Sequence, residues 1–331
     1  TPCGTLFPYT TLFRSLAMTV SAACADETVS LEPKYTVGTY LTTHENVVDQ
    51  TVKVMGQEMP QQITQTMQMV TEVSKPDDKG VKTVTMTWKR VRMVMKMGPM
   101  TMQYDSDGPP AEQTPQLATA MSMLKGAKLV MKVDKDGEII ETTGLNAMWD
   151  EAAKKQNVPP QMAQAMKKSL GDDFMKNMAA SSRMMLPDKP VKVGEKWTTK
   201  TALPMPMIGE MMMTVDGELK SMETEGDRKL ATIVYEGKTT TKKGEPMAVA
   251  EGMNVKVDKL DMKQTGTAVF DATNGMVVGV DSTQDGTMTV TVNGPNGPMP
   301  TEIDQTMKMK MTVKPYDPKK DERKLEEKKE R

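Results

Sequence analysis

The chain of 331 residues carries 43 basic and 44 acidic side chains, so nothing in its net charge favours nucleic acid or an anionic membrane as a partner. One histidine and two cysteines argue against zinc sites, Ser-His-Asp or Cys-His catalysis and redox dithiols. No pair of carboxylates stands out from the other acidic residues, so we expect no enzyme activity and no cofactor.

Methionine is the most unusual feature of the composition. The 36 methionines outnumber the 4 phenylalanines, 3 tryptophans and 6 tyrosines taken together. Methionine is flexible and polarizable, so it fills irregular volume but specifies packing loosely. It must therefore do much of the core packing that leucine, isoleucine and phenylalanine do in most proteins.

The first residues of the chain do not read as folded protein. Residues 6–15, LFPYTTLFRS, match the translation of a common sequencing-adaptor read. We interpret residues 1–15 as an artefact of that read and exclude them from the predicted fold.

Residues 16–25 predict export. A short apolar run ends in Ala23-Cys24-Ala25, which fits the small-residue pattern of a signal-peptide cleavage site. In a second interpretation Cys24 is the lipidated residue of a lipoprotein, although Ser21 stands where leucine is usual in that motif. In either case we expect the mature chain in the periplasm, on the cell surface or secreted.

The first part of the mature chain predicts β-strands separated by turns at 56–60 and 75–80. The longest predicted strand alternates with a period of two and is broken at Gly98-Pro99. It ends at residues 105–110, because glycine and two prolines cannot continue a ladder of hydrogen bonds. The predicted strands are 35–43, 47–55, 63–73, 81–104, 128–133 and 138–143.

Two segments predict helices. Leu117, Met121 and Leu124 stand at i, i+4 and i+7, and Gly126 follows at the expected C-terminal stop. Residues 146–185 also carry apolar side chains at helical spacing, and we expect this insertion of short helices to cover one face of the sheet.

Strand patterns return at 190–197 and continue to the last turn of the chain. Asp216-Gly217 and Asp285-Gly286 are among the dipeptides that predict turns here. The predicted strands are 211–222, 229–237, 253–263, 266–271, 276–283, 287–292 and 303–314.

These patterns divide the chain into four parts. A single β-rich domain is predicted at 26–317, with the helical insertion at 146–185, after the artefact at 1–15 and the signal remnant at 16–25. Residues 318–331 are almost all charged, so they predict a disordered tail or a solvated helix.

The period of two in the 81–104 segment separates methionine from charge. Met93, Met95 and Met97 fall on one side, whereas Arg90 and other cations fall on the opposite side. A concavity lined by methionine would be deformable and would suit varied apolar ligands, such as a lipid or an acyl chain. The candidate ligand-binding residues are Met93, Met95, Met97, Met162, Met166, Met307 and Met309.

Two alternative functions remain open at this point. Soft thioethers at M-x-M spacing suit Cu(I), although histidine and cysteine, which usually assist in copper sites, are scarce. His44 is interpreted as a lone surface or half-buried histidine. The other alternative is a structural or interaction module of the cell envelope that uses the edges of its strands.

Several motifs together resemble an uncharacterised family of exported bacterial β-rich proteins. They are WKRVRM at 88–93, YDSDG at 104–108, PVKVGEKW at 190–197 and the helical insertion between them. The resemblance spans residues 35–316 and implies no known activity and no site residues. A looser similarity in fold to lipoprotein carriers implies a half-open barrel that shelters acyl chains.

The predicted fold class is mainly β with a helical insertion (α+β). We expect a large curled antiparallel sheet or half-open barrel covered by short helices, because long twisted sheets curl or split to hide their edges. The expected function is that of an exported, non-catalytic protein that binds a hydrophobic ligand, with no transmembrane span in the mature chain.

Overall fold

The computed structural model describes residues 28–156, 164, 167, 171–173, 175–177, 186–205, 209–241, 247–250, 253–294, 297–318 and 320. The strands are β1 (Gly38–Val54), β2 (Gln57–Val73), β3 (Lys82–Met97), β4 (Met100–Asp105), β5 (Lys128–Val133), β6 (Ile139–Thr143), β7 (Lys196–Met205), β8 (Gly209–Glu225), β9 (Arg228–Thr241), β10 (Met247–Ala250), β11 (Met253–Asp271), β12 (Met276–Gly294) and β13 (Gly297–Pro315). The α-helices are α1 (Pro115–Met121) and α2 (Leu145–Gln156), and single 3-10 turns lie at Pro110–Glu112 and Ser122–Leu124.

Antiparallel pairing joins these strands into one sheet of 13 strands. Its order is β6-β5-β3-β2-β1-β13-β12-β11-β9-β8-β7, while β4 pairs with β3 and β10 with β11 beside this path. The first and last strands of the chain lie next to each other in the middle, whereas β6 and β7 end the path, so the sheet is open. The predicted fold class is therefore confirmed: a mainly β protein with one large antiparallel sheet and a few short helices.

Burial distinguishes the two faces of the sheet. Directly opposed residues on antiparallel strands have their side chains on the same face, and the face alternates along each strand. The register places the fully buried Phe270, Leu219 and Val84 on one common face. We call this face the inner face and the opposite one the outer face.

One end of the inner face is closed by segments from outside the sheet. Leu31 and Val191 pack on Leu219 of β8 and Phe270 of β11, and these four side chains are at most 3% exposed. An isolated antiparallel bridge between Val29 and Val191 joins the two covering segments to each other. Hydrophobic burial therefore fixes both segments across β8, β9 and β11.

The helix α2 covers the same end of the inner face, but over the strands β3 and β5. Its Leu145 is buried, and its Trp149 packs with it against a cluster that includes Val84 of β3 and Leu129 of β5. The expected covering of the sheet by the 146–185 insertion is thus seen for α2. Most of the insertion beyond Gln156 lies outside the described residues.

Three predicted interruptions of strands are wrong. Asp216-Gly217, residues 264–265 and Asp285-Gly286 lie inside β8, β11 and β12 and continue the ladder. A Cβ added at Gly217 would lie 2.4 Å from Cε2 of Trp197, and one added at Gly286 would lie 2.2 Å from the carbonyl oxygen of Asp261. These glycines allow close packing between neighbouring strands and do not form turns.

Several predicted boundaries also change. The segments 35–43 and 47–55 form the single strand β1, because the backbone between them stays extended and paired on both sides. The strand β2 begins at Gln57, because the turn before it needs only Met55 and Gly56, both with positive φ. The predicted long strand at 81–104 is a hairpin of β3 and β4 around Gly98, whose φ is 55°.

Candidate binding surface

The inner face carries no Asp, Glu, Lys or Arg along the described residues of the four central strands, β2, β1, β13 and β12. The charges of these strands lie on the outer face, where Glu45 is opposite Lys310 and Lys310 is opposite Asp281. There, the Lys53 ammonium lies 2.8 Å from a carboxylate oxygen of Asp304. The alternation in sequence therefore separates charge from methionine across the whole middle of the sheet.

The structure brings five of the predicted ligand-binding methionines onto the inner face. They are Met93, Met95 and Met97 on β3, and Met307 and Met309 on β13. All five are half-buried. The predicted Met162 and Met166, and the lipidation candidate Cys24, lie outside the described residues.

Two rows of directly opposed side chains connect the methionines of β3 and β13. One row runs through Met95, Ile63, Val48 and Met307, and the next through Met93, Gln65, Asn46 and Met309. The surface between the two groups is therefore continuous, with apolar side chains in one row and amides in the other.

Uncharged polar side chains form a band across the middle of the inner face. The Gln50 amide nitrogen donates to the Gln61 carbonyl oxygen at 2.8 Å, and the Gln264 amide nitrogen donates to the Ser282 hydroxyl at 3.2 Å. The side-chain carbonyl oxygen of Asn46 is buried and has no hydrogen-bond partner among the described residues. The band is made of His44, Asn46, Gln50, Gln61, Gln65, Tyr235, Gln264, Ser282, Gln284 and Gln305.

His44 lies within this band and is directly opposite Met67 of β2 and Met311 of β13. Burial lowers the pKa of the His44 imidazole below its ordinary value of 6.5, so the side chain is neutral at pH 7. The sequence analysis did not predict this grouping, because the pairing register of β1, β2 and β13 cannot be deduced from the sequence of any one strand. The available signal was the period of two, which places His44, Met67 and Met311 on the methionine-bearing side of their own strands.

The charged side chains of the YDSDG segment at 104–108 have a structural role. The Nε and Nη2 atoms of Arg90 donate to Asp105, at 3.1 and 2.6 Å, and Lys125 donates to Asp107 at 2.7 Å. Desolvation raises the pKa of Asp105, but the hydrogen bonds from Arg90 and from the backbone of Asp107 outweigh it and lower that pKa overall. The segment therefore ties the end of β4 to β3 and to the turn after α1.

Two open depressions are lined mainly by residues of the outer face. One, of about 680 Å³, has polar outer-face side chains in its lining, among them Asp49, Gln62 and Thr306. The other, of about 480 Å³, includes Lys196 and Glu236. None of the predicted methionines lines either depression, so their role in ligand binding stays a prediction.

No described helix is long and apolar enough to cross a membrane. Within the same residues no group of three or more His, Cys, Asp or Glu side chains could hold a metal ion, which leaves sites built with methionine untested.

Solved structures offer only distant likenesses. A structure of lipovitellin, described as one of lipid–protein interactions, has a TM-score of 0.40 and 11% identity, and the match covers 86% of this chain but only 26% of that one. OccK7 (OpdD) of Pseudomonas aeruginosa has a TM-score of 0.24 and 6% identity, with 84% and 100% coverage. A DUF1329 family protein of Desulfovibrio piger has a TM-score of 0.14 and 8% identity, with 80% and 83% coverage. At these TM-scores none of the three supports a functional conclusion.

A family match is more extensive. No curated protein matches the chain. Residues 79–277, more than half of the 331, match a family of unknown function (DUF6263). The matched range contains the WKRVRM, YDSDG and PVKVGEKW motifs and confirms the expected membership of an uncharacterised β-rich family. The chain therefore belongs to the DUF6263 family of unknown function.

Proposed function

We propose that the protein is a non-catalytic, exported protein that binds a hydrophobic ligand, such as a lipid or an acyl chain, on the inner face of its sheet. The observation that carries the proposal is the uncharged inner face of β2, β1, β13 and β12, with its half-buried methionines. A solvated sheet face normally carries charged and polar side chains, whereas an apolar face normally packs against another layer.

The closed end of the inner face shows what such a layer looks like in this protein. Leu31, Val191 and α2 cover the sheet there, and the side chains below them are almost completely buried. Met307 and Met309, in the middle of the same face, are only half-buried. A bound apolar ligand would complete the burial that the methionines leave unfinished, at about 25 cal/mol per Å² of apolar surface removed from water.

The band of uncharged polar side chains across the inner face limits which ligands can bind. Gln50, Gln61 and Gln264 offer hydrogen-bond donors and acceptors without charge. A ligand with an apolar tail and an uncharged polar group, such as an ester or a hydroxyl, matches the surface. A free carboxylate or phosphate would have to lose its hydration without meeting a cation on this face of the central strands.

Export is supported by the sequence of residues 16–25. Their apolar run and the Ala23-Cys24-Ala25 pattern are typical of a signal peptide. A lipid-binding protein outside the cytoplasm would handle ligands that cannot cross water unaided.

The alternative function, pairing through strand edges, has less support. The edge strand β7 carries Pro204 and two lysines, Lys196 and Lys200, and these residues discourage the pairing of an exposed edge with another chain.

The first experiment is native mass spectrometry of the chain from Asp26 onward, purified from a bacterial periplasm, followed by lipid extraction under denaturing conditions. A lipid or acyl species at close to one per chain is the expected result. A chain without any lipid that also fails to bind the uncharged apolar fluorophore N-phenyl-1-naphthylamine would overturn the proposal.

A pair of lysine substitutions on β3 locates the surface. Met95→Lys places a charge on the inner face, whereas Val94→Lys places it on the outer face one residue away. We expect Met95→Lys to weaken binding of the fluorophore at least tenfold and Val94→Lys to leave it unchanged, because a desolvated ammonium is costly. Equal effects of the two substitutions would contradict an inner-face site.

A further inference from the structure

The single histidine of the chain lies in the centre of a group of methionines. His44 is directly opposite Met67 on one side and Met311 on the other. Directly opposed Cα atoms in antiparallel strands are about 4.5–5.5 Å apart, so both thioethers can reach the imidazole. Met69 and Met309 occupy diagonal positions, about 7–8 Å away, which long side chains still span.

The imidazole is in a state that can coordinate a metal. No hydrogen bond to the His44 side chain occurs among the described residues, so its nitrogens are not occupied by a neighbour there. A neutral imidazole has a lone pair on one ring nitrogen, and that nitrogen is the atom that binds a metal. The facing residues on β1, β2 and β13 are uncharged, since their charged side chains point to the outer face.

We propose that His44, Met67 and Met311 form a binding site for a soft monovalent cation, Cu(I). Thioethers select Cu(I) over harder ions, and imidazole is a good ligand for copper. Three neutral ligands suit an ion with a single positive charge, whereas a divalent ion in the same uncharged surroundings would lack the anionic ligands that offset its loss of hydration. This site does not depend on the proposed binding of a hydrophobic ligand.

The site differs from the other methionine groups of the chain. On the β3–β4 hairpin Met95 is opposite Met102 and Met97 is opposite Met100, so thioethers face each other without any nitrogen ligand. That arrangement supplies a matched control, because two opposed methionines can be removed there without touching His44.

The test uses the full chain under anaerobic conditions. Cu(I), supplied as its acetonitrile complex, is titrated in competition with the colorimetric chelator bicinchoninate. The variants are His44→Gln, the double substitution Met67→Leu with Met311→Leu, and the control Met95→Leu with Met102→Leu. Leucine and methionine have similar volumes, so the double variants are expected to fold, and circular dichroism and Tm verify this.

We expect one Cu(I) per chain and a loss of affinity of at least tenfold in His44→Gln and in Met67→Leu with Met311→Leu, but not in the control. X-ray absorption at the copper edge should show a mixed nitrogen and sulfur shell, which disappears in His44→Gln. Failure of the natural chain to retain Cu(I) against bicinchoninate would overturn the proposal. Equal losses in the control and in the site variants would also overturn it, because binding would then be a general property of methionine.

Discussion

The closed end and the middle of the inner face belong to the same sheet but are buried to different extents. Phe270 and Leu219 at the closed end are 0% exposed beneath Leu31 and Val191. Met309, in the middle of the same face, is half-buried. Its directly opposed neighbours are the polar residues Asn46 of β1 and Ser282 of β12. The closed end is thus a conventional core between two layers, whereas the middle combines apolar side chains with uncharged hydrogen-bonding groups.

This difference indicates a division of roles along the strands. Fully buried apolar side chains at the closed end contribute much of the folding free energy of the sheet. A separate buried cluster on β11 and β12, made of Val257, Leu260, Met262 and Val290, adds to it. The middle lacks part of that stabilisation, and under the proposed function this is the surface that the ligand buries. Methionine suits such a surface, because its flexible side chain packs against varied partners.

The largest expected effect tests the closed end. Phe270→Ala should lower the free energy of unfolding by about 3–5 kcal/mol, because a fully buried aromatic side chain leaves a cavity under Leu31 and Val191. Urea denaturation followed by circular dichroism measures the loss. A change below about 1 kcal/mol would mean that the covering segments are not packed on β11, and it would contradict the difference in burial between the closed end and the middle.

A smaller effect is expected where an aromatic ring covers a glycine. Gly217→Ala should destabilise the sheet by about 1–3 kcal/mol, because the added Cβ would lie 2.4 Å from Cε2 of Trp197. The control is Gly294→Ala on β12, since a Cβ there meets nothing within 4 Å. Denaturation curves in which both substitutions have the same effect would contradict close packing of Trp197 on β8.

In the middle of the inner face the cost of truncation should be lower still. Met309→Ala should cost about 1 kcal/mol, below the roughly 2–5 kcal/mol of a fully buried methionine, because Met309 is only half-buried. The same denaturation series as for Phe270→Ala gives the comparison directly. A cost as large as that of Phe270→Ala would show that the middle is sealed, and it would remove the basis for a ligand surface.

The smallest expected effect is a dependence of stability on pH from His44. Burial lowers the pKa of the folded His44 below 6.5, while the unfolded chain keeps the ordinary value. Below pH 6.5 the unfolded state binds more protons, so the free energy of unfolding falls as the pH falls through 6.5 and levels off below the folded pKa.

The variant His44→Gln isolates this contribution. The difference in unfolding free energy between the natural chain and His44→Gln should change between pH 7.5 and pH 5.5, with the natural chain losing more stability towards acid. A difference that stays constant over this range would mean that the His44 imidazole is solvated and not partly buried between Met67 and Met311.

Much of the fold follows from the sequence. The period of two predicted the strands and separated Met93, Met95 and Met97 from Arg90 and Arg92, because alternate residues of a strand always face opposite sides. Turn signals with positive φ, such as Gly56 and Gly98, were also readable, since few residues other than glycine adopt that backbone easily. The turns predicted at Gly217 and Gly286 were wrong. These glycines are required by close contact with a neighbouring strand and not by a local turn.

The candidate sites depended on the tertiary structure. The sequence could place His44, Met67 and Met311 on a methionine-bearing side of three separate strands, but not next to one another. Only the pairing of β1 with both β2 and β13 sets the register that brings them together, and a shift of one residue would turn a whole strand to the opposite face. Local sequence thus determined which side chains share a face, whereas long-range pairing decided which of them are neighbours.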